Sequence, residues 1–176
     1  MRTKDPISSF NNCPICTTKL TLTKHNHRQR KTCPACGFVD WHNPAPAAGV
    51  LVVNDGKLLM VKRSDEPRRG DWCIPAGFIE WDESPQECAV RELKEETGLD
   101  IALGKLFNVY CGVDDPRTNA LLILYFGEII GGNPTPGDDA AELAFFSREE
   151  IPENIAFAAH IQAIKDLQQN YPGVLK

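Results

Sequence analysis

Apolar residues change their period several times along this chain, and each change marks an element. Residues 47–53 and 57–63 are dense in aliphatic and β-branched side chains, and Asn54-Asp55-Gly56 lies between them. That is the turn chemistry of a hairpin, so two antiparallel strands are expected. Residues 64–71 are charged and contain Pro67 and Gly70, which reads as an exposed loop before a short extended piece at 72–75. Ser84-Pro85-Gln86-Glu87 then predicts a helix start: Ser84 can cap, Pro85 suits the first helical position, and Glu87 can close a capping box. Gly98 supplies the stop. Further strands are expected at 106–113, 120–130 and 143–146, joined by 114–119 and by a turn-rich loop at 131–141. Phe157, Ile161, Ile164 and Gln168, with Leu167 alongside, follow helical spacing and predict a closing amphipathic helix. The pattern describes an α/β fold, a mixed sheet flanked by helices.

Length and charge refine this picture. The chain has 176 residues, 42% hydrophobic and 24% charged, which suits a compact domain with a small module attached. The first 40 residues hold seven basic and two acidic side chains, a net charge of +5 that leaves −10 for the remainder. Asn43-Pro44-Ala45-Pro46 is the sharpest composition break. A basic head over residues 1–42 and an acidic body over 43–176 are therefore expected. No apolar run resembling a signal peptide or membrane span is readable, and Arg2, Lys4, Asp5 and Pro6 break up the opening stretch. A cytoplasmic protein without membrane partners follows as the expectation.

Candidate chemistry concentrates on the predicted helix. With Glu92 at zero and ~100° per residue, Glu95 falls near −60° and Glu96 near +40°, whereas Ala89, Val90, Leu93 and Thr97 span roughly +60° to +160°. Three carboxylates share one face, expected to be exposed, and the apolar flank packs on the sheet. Like charges one turn apart repel, so a cation should offset them. Oxygen ligands of this kind suit Mg2+ or Mn2+, ions that commonly complete their shell with substrate phosphates. The alternative is a solvated acidic surface.

Gly77, Glu83, Arg91, Glu92, Leu93, Glu95, Glu96, Gly98 and Leu99 match every fixed position of the pattern GX5EX7REUXEEXGU, where U is aliphatic. On these residues the chain resembles the Nudix hydrolases. The resemblance implies the Nudix α/β/α sandwich and metal-dependent cleavage of a diphosphate linkage. Glu92 and Glu96 are similar to direct metal ligands and Glu95 to a further one; the Ala76 carbonyl, beside Gly77, is the usual additional ligand. Glu83 resembles the glutamate that supports the loop and metal cluster, and Arg91 the arginine that orients the carboxylates. For the general base the family leaves two options, Glu142 in the later acidic loop or Glu92.

Cys13-Pro-Ile-Cys16 and Cys33-Pro-Ala-Cys36, separated by 16 residues, have the spacing of a zinc ribbon. Four thiolates complete a tetrahedral Zn2+ site that supplies folding energy to a module with little core, so His25, His27 and His42 are not needed as ligands. A ribbon before a Nudix domain resembles a short group that includes ADP-ribose and FAD pyrophosphatases. It resembles NADH pyrophosphatases less closely, because nothing after Leu99 matches the serine-glutamine-proline-tryptophan-proline-phenylalanine-proline element of those enzymes. The resemblance implies a small nucleotide substrate of ADP-ribose, FAD or NADH type, cleaved to AMP and a phosphomonoester, and a homodimer. Pro116 resembles, at an imprecise offset, a proline of ADP-ribose hydrolases. Trp72, Phe78 and Arg63 are candidates for substrate contact, and Trp41, Trp81, Tyr110 and Phe126 are further aromatics that could stack on a base or pack in a core. Two other readings stay open: pyrophosphohydrolysis of nucleoside triphosphates or RNA 5' ends, and a non-catalytic nucleic-acid binder using the ribbon's Lys24, Arg28, Arg30 and Lys31.

Overall fold

The computed structural model describes residues 10–176, so the opening stretch at 1–9, read above as free of any apolar run, lies outside the described residues. The chain divides into two compact units, Met1–Asn43 and Pro44–Lys176. In the first, β1 (Thr21–His25) and β2 (Arg28–Thr32) form an antiparallel pair. Its core is small: Cys13, Leu20 and Cys33 are buried, with Cys16 and Phe38 packed against them.

The second unit is built on a mixed sheet. β3 (Ala45–Asn54) and β4 (Lys57–Arg63) form the expected hairpin, and β3 runs parallel to β8 (Ala120–Gly132). β7 (Leu99–Gly112) pairs with β8, β5 (Trp72–Cys73) with β4, and β6 (Ala76–Phe78) with β3. β9 (Ala140–Phe146) lies antiparallel to β4. Helix α1 (Pro85–Thr97) covers one face and α2 (Ala158–Asn170) the other.

The continuous apolar run of β3 follows from this sandwich. A strand covered on both faces needs apolar side chains at successive positions. Leu51 points toward the layer formed with Ala163, Ile164 and Leu167 of α2, whereas Val50 and Val52 join Ala89 and Leu93 of α1; all three β3 residues are essentially inaccessible. Burying each such side chain contributes on the order of 1.5–3 kcal/mol, so the two faces together fix the helices on the sheet.

Several expectations change. The sequence missed β6, since Ala-Gly-Phe carries no strand pattern and pairs only because β3 offers an edge there. It also missed the first half of β7, whose register breaks near Leu103 and Leu106 mask its periodicity. Val90, placed above on the packing flank, is 37% exposed at the edge of that arc. Among the described residues no helix is long and apolar enough to cross a membrane.

Candidate active site

Helix α1 begins with the full capping box: the Glu87 N–H donates to Ser84 Oγ at 3.2 Å and the Ser84 N–H to Glu87 Oε2 at 2.8 Å. It ends at Gly98, whose left-handed φ of 70° suits glycine, and where a Cβ would approach the Asn133 carbonyl to 2.6 Å. Capping at both ends fixes the register of the acidic face against β6.

Within that face, Arg91 organises its neighbours. Its Nε and Nη2 donate to the two Glu83 carboxylate oxygens at 2.7 and 2.8 Å, and Nη1 donates to Glu92 Oε1 at 2.7 Å and Glu95 Oε2 at 2.9 Å. Nη2 also reaches the Phe78 carbonyl at 3.2 Å, tying the helix to the end of β6. These charge-assisted bonds are the strong class, and they hold Glu83 down to a pKa of about 2. Gly77 is required by the same packing, because a Cβ there would lie 2.0 Å from Glu92 Cδ.

The three carboxylates are not equivalent. Glu95 is open to solvent, Glu92 is partly covered, and Glu96 is only 2% exposed. The expectation that Glu96 sits on an exposed face is therefore corrected. At roughly +40° it is the acid nearest the packing flank, and β6 closes over it, with the Ala76 N–H donating to Glu96 Oε2 at 3.2 Å. Burial raises the pKa of Glu92; burial first, then the charges of Asp139 and Glu92, raises Glu96 well above the carboxylate range. Such crowding of buried acids is offset when a divalent cation joins them. The donor set, carboxylate oxygens beside the backbone of Ala76 and Gly77, fits a hard ion such as Mg2+ or Mn2+.

Asp139 enters through the 131–141 segment, the turn-rich loop of the sequence, which is anchored to α1. The Thr135 N–H donates to the Thr97 carbonyl at 2.8 Å and the Gly137 N–H to the Glu96 carbonyl at 3.2 Å, so the segment is tied to the C-terminal turn of α1. Asp139 is paired with Arg63, Nη1 to Oδ2 at 3.5 Å, and the Ser64 N–H donates to its carbonyl at 2.7 Å. Glu142, chosen above as a loop base, lies instead in β9 opposite Lys62 and pairs with it at 3.4 Å in solvent. The β4–β9 ladder turns its carboxylate away, and Asp139 is the acid of this segment whose charge reaches Glu92 and Glu96.

A small cleft opens beside Ala76 and Gly77. Two of the three substrate-contact candidates, Arg63 and Phe78, line it, together with Asp114, Arg117, Phe157 and His160, which belong to no motif of the sequence. The Arg117 guanidinium lies 5.9 Å from the Phe78 ring centre and that of Arg63 lies 5.7 Å from Phe157. Trp72 does not line the cleft; it is buried edge-on against Phe146 with centroids 4.8 Å apart. Tyr110 and Phe126 are also packing residues, the former donating its hydroxyl to Asp166 at 2.8 Å, and Trp81 is fully exposed.

In the ribbon, the four cysteine sulfurs all lie within 4.8 Å of one another, with Cys13 Sγ 3.6 Å from Cys36 Sγ and Cys16 Sγ 3.4 Å from Cys33 Sγ. Each pair sits on a turn closed by backbone hydrogen bonds, Thr17 N–H to the Cys13 carbonyl and Gly37 N–H to the Cys33 carbonyl. All four are free thiols, and their convergence fits one tetrahedral Zn2+. His25 is not drawn to them but stacks edge-on against Trp41.

Comparison with known proteins agrees with this geometry. Residues 43–167 match the model of the NUDIX domain. An ADP-ribose pyrophosphatase of Methanocaldococcus jannaschii is 40% identical over 125 residues, 70% of this chain and 73% of that protein. The NAD-capped RNA hydrolase NudC of Pseudomonas aeruginosa is 30% identical over 142 residues, 80% of this chain, which spans only 49% of NudC. A crystal structure of a NUDIX hydrolase from Nitrosomonas europaea superposes with a TM-score of 0.79 at 27% identity, covering 92% of both chains.

Proposed function

Because the chain belongs to the Nudix family of pyrophosphohydrolases, we propose that it hydrolyses the diphosphate linkage of an ADP-ribose-type nucleotide, releasing AMP and a phosphomonoester. The observation that carries this reading is that Glu92 packs on Gly77 and buried Glu96 accepts the Ala76 N–H, with Arg91 tying Glu92 to Glu95, while Ala76 and Gly77 also line the cleft of Phe78 and Arg117. The carboxylates, with the Ala76 carbonyl, would hold Mg2+ or Mn2+; such ions neutralise phosphate oxygens and acidify a bound water.

The protein's own groups do the rest. Arg91 fixes the directions of Glu92 and Glu95 and keeps Glu83 ionised, so the ligand oxygens are set before substrate arrives. Asp139, held at the α1 C-terminus by its segment, is the carboxylate that takes the proton from the attacking water. Arg63 shares its charge between Asp139 and the cleft, and so can pass from that acid to a substrate anion. The relative at 40% identity, an ADP-ribose pyrophosphatase, supports the ADP-ribose class.

Product identity is the test. Incubated with Mg2+ or Mn2+, the protein is expected to yield AMP and ribose 5-phosphate from ADP-ribose, with FAD and NADH as further substrates. Release of inorganic pyrophosphate from nucleoside triphosphates, with no AMP from the dinucleotides, would overturn the reading.

A further inference from the structure

One face of the ribbon carries an aromatic side chain that its small core does not use. Residues opposite each other in an antiparallel pair project to the same side of it. In β1 and β2 this puts Thr23 with Arg30 and His25 with Arg28 on one side, and Leu22 with Lys31 and Lys24 with Gln29 on the other. The Thr23 and Thr32 hydroxyls, diagonal neighbours on the first side, meet at 3.0 Å. Trp41 lies across that same side: its ring centre is 4.9 Å from the Arg30 guanidinium and 5.0 Å from the His25 ring, which meets it edge-on. Arg30 Nη1 also donates to the Trp41 carbonyl, so one side chain holds this residue at both backbone and ring. Trp41 is no member of the cluster of Cys13, Leu20 and Cys33, and 45% of its surface stays open. An indole already fixed by its neighbours and open to solvent is a stacking surface whose ordering cost has been met in the fold.

The charge around this surface has one sign. Residues 10–43 contain five lysines and arginines and a single acid, Asp40, which is half-buried. Lys24 and Arg28 are exposed at the turn end of the hairpin, and Arg28 shares the Trp41 side through its pairing with His25. Cations beside an open aromatic ring match a ligand that alternates phosphates with planar bases. A duplex offers the phosphates but keeps its base faces in the stack, and an acidic peptide offers charge alone.

Independently of the reading of the body, we propose that the Trp41 face of the ribbon docks a single-stranded polynucleotide, one base stacking on the indole while Arg28 and Lys24 neutralise adjoining phosphates.

The test is fluorescence anisotropy of a labelled single-stranded RNA dodecamer titrated with the full zinc-loaded chain. Mg2+ is omitted so that no turnover intervenes, and chelator is omitted so that the ribbon keeps its ion. Trp41→Leu keeps apolar bulk against Arg30 but removes the ring; it is expected to weaken single-strand binding by roughly tenfold, the weight of one base–aromatic stack, whereas Trp41→Phe retains most of the affinity. The same sequence as a duplex, bound through phosphates, should be unaffected by either change. Arg28→Ala should weaken both forms and reduce the salt slope of single-strand binding by about 0.7. Ultraviolet cross-linking gives a readout on the unaltered chain, with the adduct expected on Trp41. Absence of RNA binding, equal losses for strand and duplex in Trp41→Leu, or an adduct confined to the body would overturn the proposal. Displacement of the RNA by poly-glutamate at equal charge would overturn it too, in favour of an acidic protein partner.

Discussion

The ribbon and the acidic face of α1 both gather candidate ligand atoms, but they do so in opposite ways. In the ribbon, Cys13, Leu20 and Cys33 make up the buried core, so the sulfurs that would grip the ion are themselves much of the interior. In the body, Glu92, Glu95 and Glu96 sit on a helix capped at both ends, packed through Ala89 and Leu93 on a double-faced sheet, and aimed by Arg91. The lesson is one of dependence: an ion on the four sulfurs would hold the ribbon's fold, whereas in the body the fold itself holds the carboxylates in place.

The largest expected effect breaks the body's chemistry while sparing its structure. Glu92→Gln or Glu96→Gln should lower turnover by on the order of 10³-fold, the scale of losing one preorganised charge-stabilising group. The thermal midpoint should stay within a few degrees, because glutamine still accepts from Arg91 or from the Ala76 N–H. A wild-type rate in either variant, measured by AMP release, contradicts the metal-face argument.

In the ribbon the same kind of change should cost structure. Cys13→Ser, or treatment with a zinc chelator, is expected to release the ion and unfold residues 10–43, because structural zinc supplies ~10–16 kcal/mol in comparable small modules. Zinc content and amide spectra report this, and the body's thermal transition should remain. Retention of one zinc per chain in the mutant would remove the contrast between the two regions.

A smaller effect sharpens the assignment of the proton acceptor. Asp139→Asn should reduce turnover by about 10²-fold or more, whereas Glu142→Gln should change it by less than about twofold. Comparable losses in the two variants would show that the charge near Glu96 and the proton acceptor are different groups.

The smallest effect is on stability. Burial holds the His160 ring at a pKa of about 4, below its ordinary 6.5, so the unfolded chain binds a proton that the folded one refuses. The contribution is fully present above pH 6.5 and declines as pH falls toward 4, by at most roughly 3 kcal/mol. Thermal melts across this window should show that decline in the wild type and a flatter profile in His160→Asn; parallel profiles would assign the acid sensitivity to other groups.

The sequence by itself determined the hairpin at Asn54–Gly56, the caps of α1, the clustering of three glutamates and the two CX2C turns, because each depends on spacing within one element or on turn chemistry between neighbours. It also carried the family, through fixed positions of the box. Only the tertiary structure decided that Glu96 is buried, that Trp72 packs on Phe146 while Phe78 lines the cleft, and that Asp139 rather than Glu142 stands near the metal face. Those outcomes depend on which strand lies against which: β6 closing over α1, β9 pairing with β4 so that Glu142 meets Lys62, and α2 bringing His160 to Asp114 across 46 residues of chain. Local patterns encode periods and caps. The meeting of distant side chains is set by the sum of many weak packing choices, and no single stretch of the chain contains it.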